Sequence, residues 1–381
     1  MGLRIILCGL ILSLFSAQST AQDSAVVKKH KFQFSVHPDT NYVRDYSDFL
    51  SVDLPLASSY LNVDLTDKKT NKVLNFKPHS DMTAGLELGY KVVGLGYSVN
   101  TGVSHSSDKV YGKTDYSDLS FSFSSHRFVV DLYHEDFKGF YLNNYGSYPK
   151  SSPADTSKLY PQRSDMRAQS TGISINYIRN WNHFSYQAAF SNSEQQLKRC
   201  GSWLYGVYLS SFSLNSDSGL VTGKYKHYLT GYSNINYSNT FNAGLSIGYI
   251  YTLTIRHHWY ITYSFNPGLS YLHYQSHASG PKDTLAGSKD STYRVNVVAN
   301  LGLRIQSRIA IGYNSPKWYA GVAFAGDTFY QDETVSKSNV AYTVGNAKFY
   351  IGYRFDAPAL NRLWKKHVSG KRGTLDAKTS G

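Results

Sequence analysis

The chain has 381 residues and a formal net charge of +13. Charged residues make up 17% and aromatic residues 15%, which excludes a disordered chain, because disordered chains are rich in charge and poor in aromatic residues. No run of 18 or more apolar residues follows the N-terminus, which excludes a protein that crosses a membrane with several helices.

The N-terminus is predicted to be a secretory signal peptide that covers residues 1–21. Arg4 precedes an apolar stretch too short to span a bilayer, and small residues lead to a cleavage site after Ala21. Cys8 leaves with this peptide, so the mature chain keeps Cys200 alone and cannot form an internal disulfide. We therefore expect an exported protein.

The mature chain is predicted to consist of strands, because apolar and polar residues alternate along most of it. Residues 118–124 alternate in this way, and the longest such series runs from Tyr293 to Ile305. Further alternating segments are 128–135, 173–177, 184–190, 203–209, 245–253, 259–265, 318–324 and 349–355. An opening strand is expected within residues 49–65 and a closing strand over residues 340–355.

Short turns alternate with long polar connections along the chain. The turns are predicted at 91–93, 124–126, 180–182, 256–258 and 314–316, and the long connections at 104–114, 137–167, 275–291 and 328–339. Short periplasmic turns and long extracellular loops are typical of a transmembrane β-barrel. We predict an all-β, up-and-down antiparallel barrel of about 12 strands over residues 47–355, or 14 if residues 215–240 contain another strand.

A soluble β-sandwich is the alternative fold, since it too has one apolar face per strand. However, the strands are long for a sandwich, and tryptophans lie at strand ends where membrane interfaces would be, at Trp181, Trp203, Trp259 and Trp318. The opposite face of the strands is polar and charged, which is typical of a wet lumen. These features favour the membrane barrel.

Two segments flank the predicted barrel. Residues 22–46 are expected to be a periplasmic N-terminal segment. Residues 356–381 carry six Lys or Arg against two Asp and begin with the strand-breaking Pro358, so they are expected to form a basic periplasmic tail, either solvated or lying on the membrane as a short helix. The closing strand ends at Phe355 and is similar to the signal that the barrel-insertion machinery reads.

The order of these signals resembles the domain of unknown function 4421 family, outer-membrane β-barrels found in the Bacteroidota. The similar segments are Asp39–Val43, Tyr111–Tyr116, Asp131–Tyr133 with Lys138–Tyr141, Glu194–Ser202 and Tyr353–Pro358. The resemblance implies an outer-membrane barrel and no known activity. The family often has Ser where this chain has Cys200, which implies a tolerated small residue and not a nucleophile.

No catalytic, cofactor-binding or metal-binding residues are predicted. The 13 histidines form no metal-ligand pattern, since even the adjacent His257 and His258 would point to opposite faces of a strand. No nucleotide-binding glycine motif occurs. His134, Glu135 and His183 fall on different faces or at different heights of the barrel, so they assemble no catalytic group.

A network of charged side chains is predicted inside the barrel. Its candidate residues are Glu87, Asp118, Asp131, Glu135, Arg294, Arg304, Lys348 and Arg354. Either these charges pair and fill the lumen with a rigid network, or the cations favour anionic solutes in an open pore.

We expect an integral protein of the cell outer membrane, either a small porin-like pore or a structural protein of the Gram-negative envelope. The alternatives are a lipid-modifying or hydrolytic enzyme, and a barrel that binds a ligand or partner through its long loops. Outer-membrane lipid and lipopolysaccharide are the expected partners, the latter through Lys109, Lys113, Lys138 and Lys150, and nucleic acid is not.

Overall fold

The structure is a computed structural model that describes residues 37–67, 70–79, 82–101, 107–148, 159–229, 235–256, 258–279, 292–333 and 338–366. The side chains of residues 278–279, 292–300, 331–333 and 338–339 are outside this description. The predicted signal peptide and most of the predicted basic tail also lie outside the described residues.

The described chain is built almost entirely from strands. In chain order these are β1 Val43–Asp45, β2 Phe49–Asp67, β3 Lys72–Lys77, β4 Met82–Tyr90, β5 Val93–Asn100, β6 Asp115–Ser124, β7 Phe128–Leu142, β8 Gln162–Ile178, β9 Glu194–Gln196, β10 Cys200–Ser216, β11 Ile235–Ile255, β12 Trp259–Ser279, β13 Thr292–Asn314, β14 Trp318–Glu333 and β15 Ser338–Asp356. The short helices are α1 Asp108–Tyr111, α2 Gln187–Phe190 and α3 Pro358–Trp364, with 3-10 turns at Tyr145–Ser147 and Gly223–His227. None of the helices in this part of the chain is long and apolar enough to cross a membrane.

Twelve of the described strands form a closed antiparallel barrel, in the order β2, β4, β5, β6, β7, β8 and then β10 to β15. The last strand closes on the first, with Asp356 opposite Phe49 at one end and Ser338 opposite Asp67 at the other. The predicted fold class, with about 12 strands, is therefore confirmed. Where the structure describes residues 215–240, it shows the end of β10, a loop and the start of β11, and no further strand.

The barrel wall is lower on one side. β4, β5 and β6 have 9, 8 and 10 residues, while the other barrel strands have at least 15. Above them β3 completes the wall by pairing with β2 on one side and with the end of β7 on the other. A bulge at Gly139 of β7 allows this arrangement. Its φ of +95°, together with a Lys113 carbonyl oxygen that a Cβ atom would overlap, admits only glycine there.

The outer face of the barrel is apolar. Every second residue of the barrel strands points outward, and many of these are large, such as Leu245 in the middle of β11, whose side chain is 68% exposed. Trp203, Trp259 and Trp318 are exposed at one end of their strands, as in the aromatic girdle of a membrane barrel. A water-soluble surface would not expose so much apolar area, so this face is suited to lipid.

Tight turns join the strands at one rim, here called the short-turn rim, and longer connections join them at the other, the long-loop rim. The tight turns lie between β4 and β5, β6 and β7, β11 and β12, and β13 and β14. At the long-loop rim the strands run further than predicted: β14 and β15 leave only residues 334–337 between them, not 328–339. Backbone pairing can continue beyond the membrane because polar side chains there face water.

One predicted strand is wrong. Residues 184–190 form no strand, and residues 180–182 are not a tight turn between strands. The connection from β8 to β10 is instead a folded segment in which the apolar Phe184 and Tyr186 and the intervening Ser185 and Gln187 are all buried. Its polar side chains are hydrogen-bonded inside the protein, so the alternation there does not mark a lipid-facing strand. Trp181 belongs to this segment and lies under the Arg127 guanidinium at 4.5 Å, outside the aromatic girdle.

Candidate functional site

The connection between β8 and β10, residues 179–199, closes the barrel at the short-turn rim and is called the plug below. It contains α2 and β9, and β9 pairs with β1 from the N-terminal segment. The Leu197 N–H donates to the Tyr42 carbonyl with an N–O distance of 2.7 Å, and the Tyr46 N–H donates to the Ser193 carbonyl at 2.9 Å. The chain that precedes the barrel is thus fastened to the plug.

Hydrogen bonds from the barrel wall hold the plug. The Asn314 amide donates to the Glu194 carbonyl at 2.8 Å, and the Gln195 amide donates to the Asn314 carbonyl at 2.9 Å. Arg354, with 1% of its surface exposed, donates from Nε to the Asn192 carbonyl at 3.1 Å and from Nη2 to Asn314 Oδ1 at 2.7 Å. Polar wall residues therefore replace the hydrogen bonds that the plug backbone would make with water.

The plug also contains a buried carboxylate with two partners. Glu194 accepts a hydrogen bond from the Ser185 hydroxyl, and its Oε1 lies 2.7 Å from His126 Nε2 in the turn between β6 and β7. In a hydrolytic triad the imidazole stands between the hydroxyl and the carboxylate. Here the carboxylate stands between the other two, so this group anchors the plug and does not activate a nucleophile.

Tyr186 connects the plug to the opposite wall. Its hydroxyl accepts a hydrogen bond from Arg308 Nη1, and Arg308 Nη2 lies 3.3 Å from Asp131 Oδ2. Burial raises the pKa of the Tyr186 hydroxyl, so this group stays protonated at physiological pH.

Toward the long-loop rim an apolar core fills the lumen. The Phe212 and Tyr342 rings stack with centroids 3.9 Å apart, and Phe329 lies against Tyr342 at 4.7 Å. Side chains from the long connections enter the same core, namely Tyr148, Leu220, Val221 and Leu229. The described residues thus close the lumen on this side as well.

A cavity of about 310 Å³ remains between the plug and the apolar core. Six of the predicted network residues line it: Glu87, Asp118, Asp131, Glu135, Arg304 and Lys348. Arg354 is not among them, because it lies at the plug. Arg294 lies on β13 opposite His277, and its side chain is outside the description.

Each cation that faces the cavity is paired with a carboxylate. Lys348 Nζ donates to both carboxylate oxygens of Glu87, at 2.7 and 2.9 Å. Arg304 Nε donates to both oxygens of Asp327, at 2.8 and 3.0 Å. Arg308 pairs with Asp131, as described above.

Three residues of this group were missed by the sequence prediction: Asp53, Arg308 and Asp327. Arg308 has the same parity as Arg304 along β13, so continuing the alternation would have found it. The predicted long connection begins at residue 328, directly after Asp327, whereas β14 continues to Glu333. Asp53 lies in the opening strand, for which no inward face was predicted.

Three carboxylates that face the cavity have no cationic partner among the described side chains: Asp53, Asp118 and Glu135. Asp118 and Glu135 stand directly opposite each other on β6 and β7. The cavity therefore has an excess of acidic groups, which is unfavourable for the anionic solutes considered from the sequence.

Among the described residues, no three His, Cys, Asp or Glu side chains are arranged to hold a metal ion. The Cys200 thiol is half-buried and accepts a hydrogen bond from the Asn180 amide at 3.2 Å, which ties the plug to the start of β10.

The model of the family described as domain of unknown function (DUF4421) matches residues 37–355. The chain belongs to this family. Several of the segments that carry the resemblance meet at the plug of this DUF4421 barrel: Val43 in β1, Glu194 to Gln196 in β9, and Arg354 in β15. The segments are far apart in the sequence, so their contact is a property of the fold.

No curated protein matches the DUF4421 barrel. Among solved structures, it is similar to the outer membrane protease OmpT of Escherichia coli, with 10% identity, 82% of this chain and 98% of that chain covered, and a TM-score of 0.36. It is also similar to the toluene transporter TodX of Pseudomonas putida, with 9% identity, coverage of 81% and 91%, and a TM-score of 0.25. A Pseudomonas aeruginosa FadL homologue matches with 10% identity, coverage of 81% and 90%, and a TM-score of 0.24. No activity follows from these similarities.

Proposed function

We propose that this protein is an integral outer-membrane barrel that is closed at rest and serves the envelope as a structural or ligand-holding protein, not as a constantly open pore. The filled lumen supports this proposal, because the apolar core lies on one side of the cavity and the plug on the other. The apolar outer face supports the location, since closed barrels of this kind are typical of outer membranes.

Bilayer conductance of the refolded mature chain, residues 22–381, tests the closed lumen. Heat-modifiable gel mobility first establishes that the barrel has folded. We expect a folded protein without stepwise conductance, because the apolar core lies on one side of the cavity and the plug on the other. Stepwise conductance of the folded wild-type protein would contradict the proposal.

A gated pore is the second candidate. The observation that favours it is the way the plug is attached, by hydrogen bonds and by the three residue pairs between β1 and β9. The plug can therefore leave the lumen without breaking the pairing between barrel strands.

Replacing residues 183–197 by a short Gly–Ser turn tests the gate. A pore gated by the plug predicts conductance in this variant and none in the wild type. A matched control replaces residues 223–227, at the long-loop rim, with the same linker. If the folded barrel without the plug shows no conductance, the apolar core alone is enough to close the lumen, and the plug is not a gate.

For the partners, we propose outer-membrane lipid along the apolar face and lipopolysaccharide at the long-loop rim. Lys109 and Lys138 are exposed there, and Lys113 is exposed although it pairs with Asp115 at 2.8 Å. Lys150 lies outside the described residues. The end of β15 at Phe355, which is exposed on the apolar face, supports recognition by the barrel-insertion machinery.

A further inference from the structure

We propose that the cavity between the plug and the apolar core is a binding site for a small organic cation that carries ammonium groups. The site depends on the proposed function in one respect, because the plug forms its floor. Tyr186, Ala189 and Phe190 of the plug line the cavity, and Val344 of the apolar core lines its other end. The volume of about 310 Å³ is at the lower end of the range for small-molecule sites.

Glu135 is the first observation that points to a ligand. Its side chain lines the cavity, only 8% of the residue is exposed, and no described group donates a hydrogen bond or pairs with its carboxylate. Asp118 lies directly opposite on the neighbouring strand and also has no described partner. A buried carboxylate without a donor is costly, so a cation that enters the cavity would gain two acceptors that are otherwise unused.

Asp53 is the second observation and comes from another part of the wall. It lies on β2, lines the same cavity and is 7% exposed, and its polar neighbour is the Tyr319 hydroxyl, while no described cation forms an ion pair with it. The cavity therefore offers carboxylate groups that lack an ion pair on two separate segments of the wall, to a ligand with more than one donor group.

The cations of the wall form their close ion pairs with other acids, although Lys348 is also near Asp53 and Asp118. Lys348, Arg304 and Arg308 already bind Glu87, Asp327 and Asp131. The Arg304 guanidinium also stacks over the Tyr208 ring at 4.4 Å, which further fixes its position. Of the described side chains that face the cavity, six are acidic and three are basic.

Small inward residues keep space free next to these acids. Gly94 and Gly96 on β5 and Ser120 and Ser122 on β6 line the cavity where long side chains would otherwise fill it. The cavity has no three-ligand group for a metal ion among the described residues, and its charge opposes an anion. An organic ammonium ion fits the excess negative charge of the cavity, because its N–H groups donate to carboxylates. Its carbon atoms contact the tyrosine and phenylalanine rings.

The experiment uses the mature chain refolded in detergent with 1,4-diaminobutane as the probe, at constant ionic strength. Refolding in the presence of the probe allows it to enter before the plug closes. The unfolding temperature, followed by tryptophan fluorescence, is expected to rise with probe concentration and to saturate, whereas succinate of the same chain length causes no rise. No saturable rise with the diamine, or an equal rise with succinate, would overturn the proposal.

The variant Asp118→Asn with Glu135→Gln tests the residues. We expect its apparent affinity for 1,4-diaminobutane to fall about tenfold or more, since two charge-assisted hydrogen bonds are lost. The matched control is Asp136→Asn, because Asp136 follows Glu135 directly but pairs with Arg167 away from the cavity. Unchanged binding in the double variant would overturn the assignment, and Asp53→Asn provides a second, separate variant if the first does not fold.

These outcomes are distinct from those of the conductance experiment. A barrel that conducts but binds the diamine saturably would support the site and contradict the closed lumen. A silent barrel that does not bind the diamine would overturn the site and leave the closed lumen standing.

Discussion

At the level of single residues, Arg354 joins the barrel to the plug. Besides its bonds to Asn192 and Asn314, its guanidinium donates to the carbonyl oxygens of the turn between β13 and β14 and lies over the Tyr46 ring at 4.3 Å. The oxygens that accept its hydrogen bonds belong to carbonyl and amide groups, and it forms no close ion pair with a described carboxylate, so its part in the predicted charge network stays a prediction. It acts as a multiple hydrogen-bond donor at the point where three segments meet.

Replacing Arg354 by Met is expected to lower the free energy of unfolding by about 2 kcal/mol or more, because several buried carbonyl oxygens lose their donor. Urea unfolding of the refolded barrel in detergent measures this. Arg362→Met is the matched control, since Arg362 is exposed on α3 and has only a 3.4 Å bond to the Pro358 carbonyl. Equal stability of the two variants would show that Arg354 does not hold the plug.

At the level of elements, the pairing of β1 with β9 makes the N-terminal segment part of the plug. The pairing spans three residues in each strand and is extended by the bond from the Tyr46 hydroxyl to Gln195 at 2.8 Å. So short a pairing is weak by itself, and it is stable here because β9 is also fixed to the barrel wall.

A chain that begins at Ser47 lacks β1 and is expected to exchange the amide hydrogens of residues 193–197 about tenfold faster or more, because local opening of the plug becomes easier. Hydrogen exchange with mass spectrometry measures this in the folded barrel. A chain that ends at Asp356 is the matched control, since it loses α3, which contacts the rim at Tyr90 and not the plug. Unchanged exchange in the chain without β1 would mean that the barrel wall alone holds the plug.

At the level of the whole molecule, both the apolar outer face and the filled interior stabilise the barrel. The outer face contributes in lipid, while the interior is held by hydrogen bonds, ion pairs and the apolar core near the long-loop rim. A protein of this design is stable only when its belt of exposed apolar side chains is covered.

Leu245→Arg, in the middle of this belt, is expected to destabilise the barrel folded in lipid vesicles. The free energy of unfolding should fall by about 2–4 kcal/mol, which is typical for a cation at mid-membrane depth. The folded fraction on a heat-modifiable gel, across a denaturant series, measures the effect. Leu159→Arg is the control, since Leu159 is similarly exposed but precedes β8 at the long-loop rim. A similar loss in both variants would place Leu245 outside the lipid.

The sequence by itself determined the barrel, because strand alternation, turn spacing and the apolar face are local properties that a single strand already expresses. It also determined that Glu87, Asp131, Arg304 and Lys348 face inward, since alternate residues along a strand point to opposite faces. The pairing of these charges was decided only by the tertiary structure, because β4 and β15 are far apart in the sequence and become close only when the barrel closes and both pair with β2. The conformation of the plug was also decided only by the tertiary structure. Residues 184–190 have the alternation of a strand. They form a compact segment and not another lipid-facing strand, because they are buried inside a closed barrel and accept hydrogen bonds from distant wall residues.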